Sequence, residues 1–457
     1  GLDLSSILDS LTAAQKATLT PISNQQSSFT AKLSAYGTLK SALTTFQTAN
    51  TALSKADLFS ATSTTSSTTA FSATTAGNAI AGKYTISVTH LAQAQTLTTR
   101  TTRDDTKTAI ATSDSKLTIQ QGGDKDPITI DISAANSSLS GIRDAINNAK
   151  AGVSASIINV GNGEYRLSVT SNDTGLDNAM TLSVSGDDAL QSFMGYDASA
   201  SSNGMEVSVA AQNAQLTVNN VAIENSSNTI SDALENITLN LNDVTTGNQT
   251  LTITQDTSKA QTAIKDWVNA YNSLIDTFSS LTKYTAVDAG ADSQSSSNGA
   301  LLGDSTLRTI QTQLKSMLSN TVSSSSYKTL AQIGITTDPS DGKLELDADK
   351  LTAALKKDAS GVGALIVGDG KKTGITTTIG SNLTSWLSTT GIIKAATDGV
   401  SKTLNKLTKD YNAASDRIDA QVARYKEQFT QLDVLMTSLN STSSYLTQQF
   451  ENNSNSK

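Results

Sequence analysis

An α+β multidomain chain is predicted, with paired terminal helices as a coiled-coil-like stem, a helical core domain and inserted β-rich head domains. Three observations predict it. Apolar residues recur at helical spacing over about 1–56 and again from about 257 to 450. Between about 60 and 255 the spacing is mostly two, the period of a strand with one buried face. The two ends also carry matching thin seams of apolar residues, as two helices that pair with each other would.

The first helical region places Leu4, Ile7, Leu8 and Leu11 on one face. Thr20 is expected to cap a second helix, with Pro21 at its first position, where the missing N–H costs nothing. From there Ile22, Phe29, Tyr36 and Leu43 repeat every seventh residue, and Leu39, Phe46 and Leu53 fill the partner position. Gln25, Lys32 and Asn50 interrupt the seam, and Gly37 weakens the helix by up to ~1 kcal/mol.

At about residue 60 a Ser/Thr tract, "SATSTTSSTTA", reads as linker or exposed strand. Seven runs then alternate apolar with polar: "KYTISV", "KLTI", "ITIDI", "YRLSV", "MTLSV", "AQLTV" and "QTLTI". Asn162-Gly163 before "EYRLSV" predicts a tight hairpin turn of the primed type. One helix interrupts them, with Leu139, Ile142 and Ile146 inward and Gly152 closing it.

From Ser258 the helical period returns. Ile264, Trp267, Val268, Tyr271, Leu274, Ile275, Phe278 and Leu281 form a stripe as wide as a globular core requires. A second helix starts near Asp304, with Leu307, Ile310, Leu314 and Leu318 inward. "SDGKLELDADKLTAALKKD" reads as turn, strand, an Asp347 cap and a helix. After Gly391 one helical pattern continues to Phe450. Residues 401–450 alone span roughly 75 Å. The step from Ile418 to Val422 to Tyr425 is a stutter, which locally unwinds a supercoil.

The expected domains are therefore 1–56 with 400–457, a terminal coiled-coil-like pair that is flexible in the single chain; 57–75 with 257–399, a helical core; 76–110 with 206–256, a β-rich head; and 111–205, an outer α+β head inserted into it.

Composition narrows the function. Of 457 residues, 37% are hydrophobic and 4% aromatic, so the cores are thin. The net charge of −8 and the lack of a basic stripe speak against nucleic acid and acidic membrane surfaces as partners. Without cysteine there are no disulfides or thiolate metal sites. No run reaches the ~18 apolar residues that a membrane-spanning helix needs. "GLDLSSILDSL" lacks the basic start and continuous apolar run of a secretory signal, and a short leader is expected before Gly1.

Catalytic patterns are weak. His90 is the one histidine and stands in an alternating run with no orienting carboxylate beside it. "DPSDGKLELD" misplaces the glycine of a calcium loop: with Asp338 first, Gly342 is fifth rather than sixth. "GDGKKTG" has Lys372 where a phosphate loop requires Ser or Thr. Asp104-Asp105 and Asp187-Asp188 are adjacent pairs in expected loops, not acid/base couples. No enzymatic site, cofactor or metal is expected.

The terminal seams remain. A well-buried seam residue stabilises by about 1.5–3 kcal/mol, while ordering each residue costs about 1–2 kcal/mol of backbone entropy. In "TSLNSTSSYLTQQFENNSNSK" good apolar anchors are sparse among mediocre helix formers. Such a segment is expected to order fully only where neighbouring chains cover it.

Several blocks resemble, in order, the flagellar filament cap or hook-associated protein 2 family. They are "GLDLSSILDSLTAAQKATLTPI", "IAGKYTISVTHLAQAQTL", a segment with the Ile146-Asn147 pair of hook and filament proteins, "DWVNAYNSLID", "GALLGDSTLRTIQTQL", "LAQIGITTDPSDGKLELDADKL" and "RYKEQFTQLDVLMTSLNSTSSYLTQQF". The resemblance implies a homo-oligomeric ring, pentameric or hexameric, at the extracellular tip of the bacterial flagellum. There it would promote folding and insertion of exported flagellin. It implies contacts with flagellin and hook-filament junction proteins, a dedicated export chaperone on the C-terminal segment, and export by the flagellar type III apparatus without a cleaved signal. The residues expected to make oligomer or filament contacts are Leu4, Ile7, Leu8, Leu11, Phe29, Tyr36, Leu43, Tyr425, Phe429, Leu432, Met436, Leu439, Leu446 and Phe450. A hook-filament junction or filament-like subunit, and a surface adhesin on the β scaffold, are the alternatives.

Overall fold

The computed structural model describes residues 3–122, 124–320, 322 and 325–456. The chain begins with helices α1 (Leu4–Lys16) and α2 (Thr20–Leu53). Strands β1 (Thr62–Ser66), β2 (Phe71–Thr75), β3 (Gly82–His90) and β4 (Thr96–Thr99) follow. Next come β5 (Ser115–Gln121), β6 (Ile128–Ile132), α3 (Leu139–Ala149), β7 (Val153–Gly161), β8 (Glu164–Ser171), β9 (Met180–Ser185) and α4 (Asp188–Met194). The β region closes with β10 (Met205–Val209), β11 (Ala214–Val218), β12 (Val221–Asn225), β13 (Thr229–Leu234), β14 (Ile237–Leu241) and β15 (Gln249–Gln255). The remainder is α5 (Ser258–Leu281), α6 (Ser305–Ser319), β16 (Ile335–Thr337), β17 (Leu344–Leu346), α7 (Ala348–Ile366), α8 (Ile375–Leu387) and α9 (Ile392–Asn455).

Two compact units result. One holds the chain up to Phe59 and from Ser258 onward; the other holds Ser60–Thr257. In the helical unit the predicted α5 stripe is buried throughout, from Ile264 to Leu281. Trp267 stacks on Tyr271 at 6.2 Å between ring centres, and Phe46 from α2 meets Tyr271 edge-on at 5.7 Å. Asn50 interrupts the α2 seam because it is a buried connector. Its Oδ1 accepts the Trp267 indole N–H at 3.0 Å and its Nδ2 donates to the Thr376 carbonyl at 2.9 Å, tying α2, α5 and α8 in one register. Lys32, a second interruption, lies 3.6 Å from Asp304. Asp304 caps α6 by accepting the Leu307 N–H, and Asp347 caps α7 by accepting that of Lys350. Thr20, by contrast, is not a cap. The 3-10 turn Ala17–Leu19 carries α1 into α2 with helical backbone throughout, and Pro21 falls in the first turn of α2.

The Ser60–Thr257 unit holds two cores. The first lies between the five-stranded sheet β1-β15-β3-β11-β12 and the three-stranded sheet β13-β14-β2, with Phe71, Ile86, Val88, Leu216, Ile230, Leu239 and Leu251 inside. The second joins sheets β10-β4-β8-β7 and β6-β5-β9 with α3 and α4 around Leu117, Ile142, Ile146, Leu167, Val169 and Met180. Three expected boundaries move as a result. The stretch 60–75 belongs here, not to the helical core, because β1 pairs with β15 and β2 with β14. The expected cuts at 110/111 and 205/206 fall inside the second core, since Leu97 on β4 and Met205 on β10 are part of it.

The Ile146-Asn147 pair has a clear division of labour. Ile146 is fully buried, while the Asn147 amide accepts the Ala155 N–H at 2.7 Å and donates to the Ala155 carbonyl at 2.9 Å, docking α3 onto β7. The helix ends at Ala149, and Lys150 rather than Gly152 is its C-cap, in the left-handed region (φ 48°). Gly152 serves the turn into β7 instead: its φ is +80°, and a Cβ there would meet the Gln121 side chain at 2.7 Å.

Asp187, expected in a loop, is the N-cap of α4. Its carboxylate accepts the N–H groups of Leu190 (2.8 Å), Thr112 (2.7 Å) and Ser113 (2.9 Å). The Leu190 amide first, then those of Ser113 and Thr112 and the Thr112 hydroxyl, hold it well below the usual carboxylate range against the raising effect of burial. A folded value below the unfolded one gives stability that is complete above the unfolded value, about 4, and is lost as pH falls through the folded one. The urea midpoint should therefore drop more steeply on acidification from about pH 5 to about pH 3 in the native chain than in Asp187→Asn. Parallel curves would remove Asp187 from the account.

Candidate assembly surface

α9 has 64 residues and thus a length of roughly 96 Å. Its first part is sealed into the helical unit through Ile393, Val400 and Leu407, with Ile418 also buried. α2 runs beside it in the opposite direction: Gln26 reaches Thr408, whereas Leu33–Lys40 face Ile393–Thr397. Farther along, α1 packs on α9. Asp3 caps α1 by accepting the Ser6 N–H at 3.1 Å. None of α1 is fully buried: Leu4, Leu8 and Leu11 are half-covered and Ile7 is exposed. On α9, Tyr425, Phe429 and Met436 are half-covered too.

Beyond Met436 the cover runs out, but the helix does not. Thr437, Thr442 and Thr447 hydroxyls donate to carbonyls one turn back, and helix persists to Asn455. What the segment lacks is packing. Leu439 is 57%, Leu446 48% and Phe450 69% exposed. At about 100° per residue, Leu432, Leu439, Leu446 and Phe450 share one face, the predicted seam. Val434 and Tyr445, 65% and 60% exposed, point together some 200° away from it. The end of α9 therefore carries two opposed apolar stripes. Only Asp433 is charged between residues 428 and 450.

The expected contact residues on α2 are placed differently. Tyr36 and Leu43 are inside the core of the helical unit, and Phe29 is half-buried against it. The reason is the breadth of the α5 stripe, which takes up the α2 seam from Tyr36 inward. The Tyr36 hydroxyl donates to Asp304 at 2.5 Å. Burial first, then this bond and the carboxylate charge, push the phenol above its ordinary range. Val434 and Tyr445 were not among the expected residues. The signal for them is a repeat at eleven residues, three turns of helix, that a search for one heptad seam passes over.

The other sequence motifs are local structure. The Asp369 carboxylate accepts the N–H groups of Lys371, Lys372 and Thr373, closing the Gly-rich loop on itself. Asp338 accepts the Ser340 N–H in the turn before β17. Asp105 accepts those of Lys107 and Thr108. His90 ends β3, exposed, with Nδ1 3.3 Å from the Thr89 hydroxyl.

Comparison with known proteins places the chain in a family. The family model for the C-terminus of flagellar hook-associated protein 2 matches residues 211–441, that for its N-terminus residues 1–95, and the flagellin hook IN motif residues 116–173. Flagellar hook-associated protein 2 from Escherichia coli is 99% identical over 457 residues, 100% of this chain and 98% of that protein. The Salmonella typhimurium protein of the same name is 50% identical over 452 residues, 98% of this chain and 96% of its own length. A crystal structure of three domains of the flagellar cap protein from Escherichia coli matches with a TM-score of 0.76 at 96% identity, covering 80% of this chain and 99% of that one. The chain belongs to the flagellar hook-associated protein 2 family.

Proposed function

We propose that this protein is the structural cap at the distal, extracellular end of the bacterial flagellar filament, acting as a homo-oligomer that promotes folding and insertion of exported flagellin. Family membership supports the role. The single structural observation that carries the mechanism is the uncovered outer stretch of α9, with apolar stripes on two opposite faces. A helix so exposed is a poor end state for a lone chain. Between two neighbours both stripes are buried, and the helix becomes part of a wall.

On this reading Leu4, Ile7, Leu8 and Leu11 brace the base of the outer stretch within one chain, with Tyr425, Phe429 and Met436. Leu432, Leu439, Leu446 and Phe450 meet one neighbour, and Val434 with Tyr445 meets another. The partners are further copies, in a pentameric or hexameric ring, together with flagellin or the hook-filament junction proteins. Before export by the type III apparatus, a dedicated chaperone covers the same stretch. The two cores of the Ser60–Thr257 unit serve as two head domains.

Purified protein mixed with isolated filaments and imaged by electron microscopy is expected to sit at one end of each filament as a closed ring. Decoration along the filament, or open helical fibres of the protein alone, would overturn the reading in favour of a filament-like subunit.

A further inference from the structure

The chain contains three Asn-Gly pairs: Asn162-Gly163, Asn203-Gly204 and Asn298-Gly299. In such a pair the glycine nitrogen can attack the asparagine side-chain carbon, because no Cβ on the glycine hinders the approach. The attack needs a mobile side-chain amide and a free glycine N–H. The structure treats the three pairs unequally.

Asn203 is locked. Its Oδ1 accepts the Asp197 N–H at 2.9 Å, its Nδ2 donates to the Asp197 carbonyl at 3.0 Å, and Gly204 N–H donates to the Gly195 carbonyl at 2.9 Å. Asn298 is locked in the same way. Its Oδ1 accepts the Thr285 N–H at 2.6 Å, and Gly299 N–H donates to the Lys283 carbonyl at 2.8 Å. Asn162 and Gly163 form the two-residue loop of the β7–β8 hairpin, both at positive φ (57° and 77°), and both are exposed. Among the described residues no hydrogen bond engages the Asn162 amide or the Gly163 N–H, and a Cβ on Gly163 would meet nothing within 4 Å.

We propose that Asn162 is a self-modification site, converting to aspartate and isoaspartate in the folded protein while Asn203 and Asn298 are spared. The Gly163 nitrogen bonds to Asn162 Cγ, and the side-chain nitrogen leaves as ammonia, carrying off the Gly163 proton. Water then opens the cyclic imide at either carbonyl, giving aspartate or isoaspartate. Either product adds a negative charge next to Glu164, whose Oε1 accepts the Thr102 hydroxyl at 3.1 Å. Isoaspartate also lengthens the backbone of a two-residue loop, so the Gly161–Glu164 pairing that closes the hairpin is lost.

The test ages the purified full-length chain in warm, mildly alkaline buffer and maps the tryptic peptides by tandem mass spectrometry. The peptide 151–166 should gain about one mass unit at Asn162 and accept methyl groups from isoaspartyl methyltransferase. Conversion at Asn203 and Asn298 should be slower by at least roughly tenfold, because their bonds must open first. In concentrated urea the three sites should convert at similar rates, and Asn162→Gln should abolish methyl acceptance by the folded chain. Equal rates in the folded protein, or a preference for Asn162 that survives urea, would overturn the proposal.

Discussion

Leu439→Asp combined with Leu446→Asp is expected to abolish capping while shifting the melting temperature of the isolated subunit by no more than about 2 °C. Both leucines are about half exposed or more, so the exchange removes little that is buried within one chain. In an assembled wall the same change places two carboxylates in an apolar contact, each at a cost of several kcal/mol. Calorimetry of the subunit and complementation of a cap-deficient strain measure the two halves. A drop in melting temperature of about 5 °C or more, or normal filaments in the complemented strain, would mean that this face packs within the chain or packs against nothing. Val434→Asp with Tyr445→Asp tests the opposite stripe alone, and is expected to give the same phenotype. Growth of normal filaments with that variant would leave the outer helix with one neighbour, not two.

The largest effect on stability is expected from Trp267→Ala, about 3–5 kcal/mol for a buried aromatic. Trp267 is 1% exposed, packs against both Phe46 and Tyr271, and donates to Asn50. Its loss opens a cavity where α2 meets α5 and strands the Asn50 oxygen. Trp267→Phe refills part of the cavity but still leaves that oxygen without its donor, at about 1–3 kcal/mol. Trp386, the other tryptophan and also in the helical unit, reports the transition by fluorescence. Its urea midpoint should fall in the order native, Trp267→Phe, Trp267→Ala. Midpoints that coincide would show that this cluster does not hold the helical unit together.

The parts of this fold legible in sequence are those where one face alone is buried. The α5 stripe could be read residue by residue, since every apolar residue at helical spacing was also a core residue. So could β3, β5, β11 and β15, whose alternation follows burial. Strand β1 was not legible as part of the β unit. It is "TSTTS", with no apolar residue to alternate, and it is held by backbone pairing to β15 at the edge of a sheet. Helix α4 is 7 residues long, and its cap looks like half of an acidic pair until Thr112 and Ser113 arrive from 75 residues away in sequence. Asn50 read as a flaw in a seam because its partners, Trp267 and Thr376, come from distant helices.

The assembly surface was legible only in part for a related reason. A seven-residue repeat shows that a face is covered but not by which chain. On α2 the cover is α5 of the same molecule, so Tyr36 and Leu43 are core. Beyond Met436 on α9 no helix among the described residues covers the seam, and only the three-dimensional fold separates the two cases. The second stripe escaped because Val434 and Tyr445, each followed by a leucine in the chain, are aligned by three helical turns and not by a seven-residue repeat.

The near absence of charge from the end of α9 has a consequence for the setting in which the protein works. With Asp433 the single ionised group over residues 428–450, contacts made there contain almost no ion pairs for dissolved salt to screen. Salting-out ions only strengthen the burial of apolar surface. On the proposed role, a tip held together in this way would keep its grip in dilute pond water and in brine alike, and a swimming cell that crosses between them would not need to rebuild it.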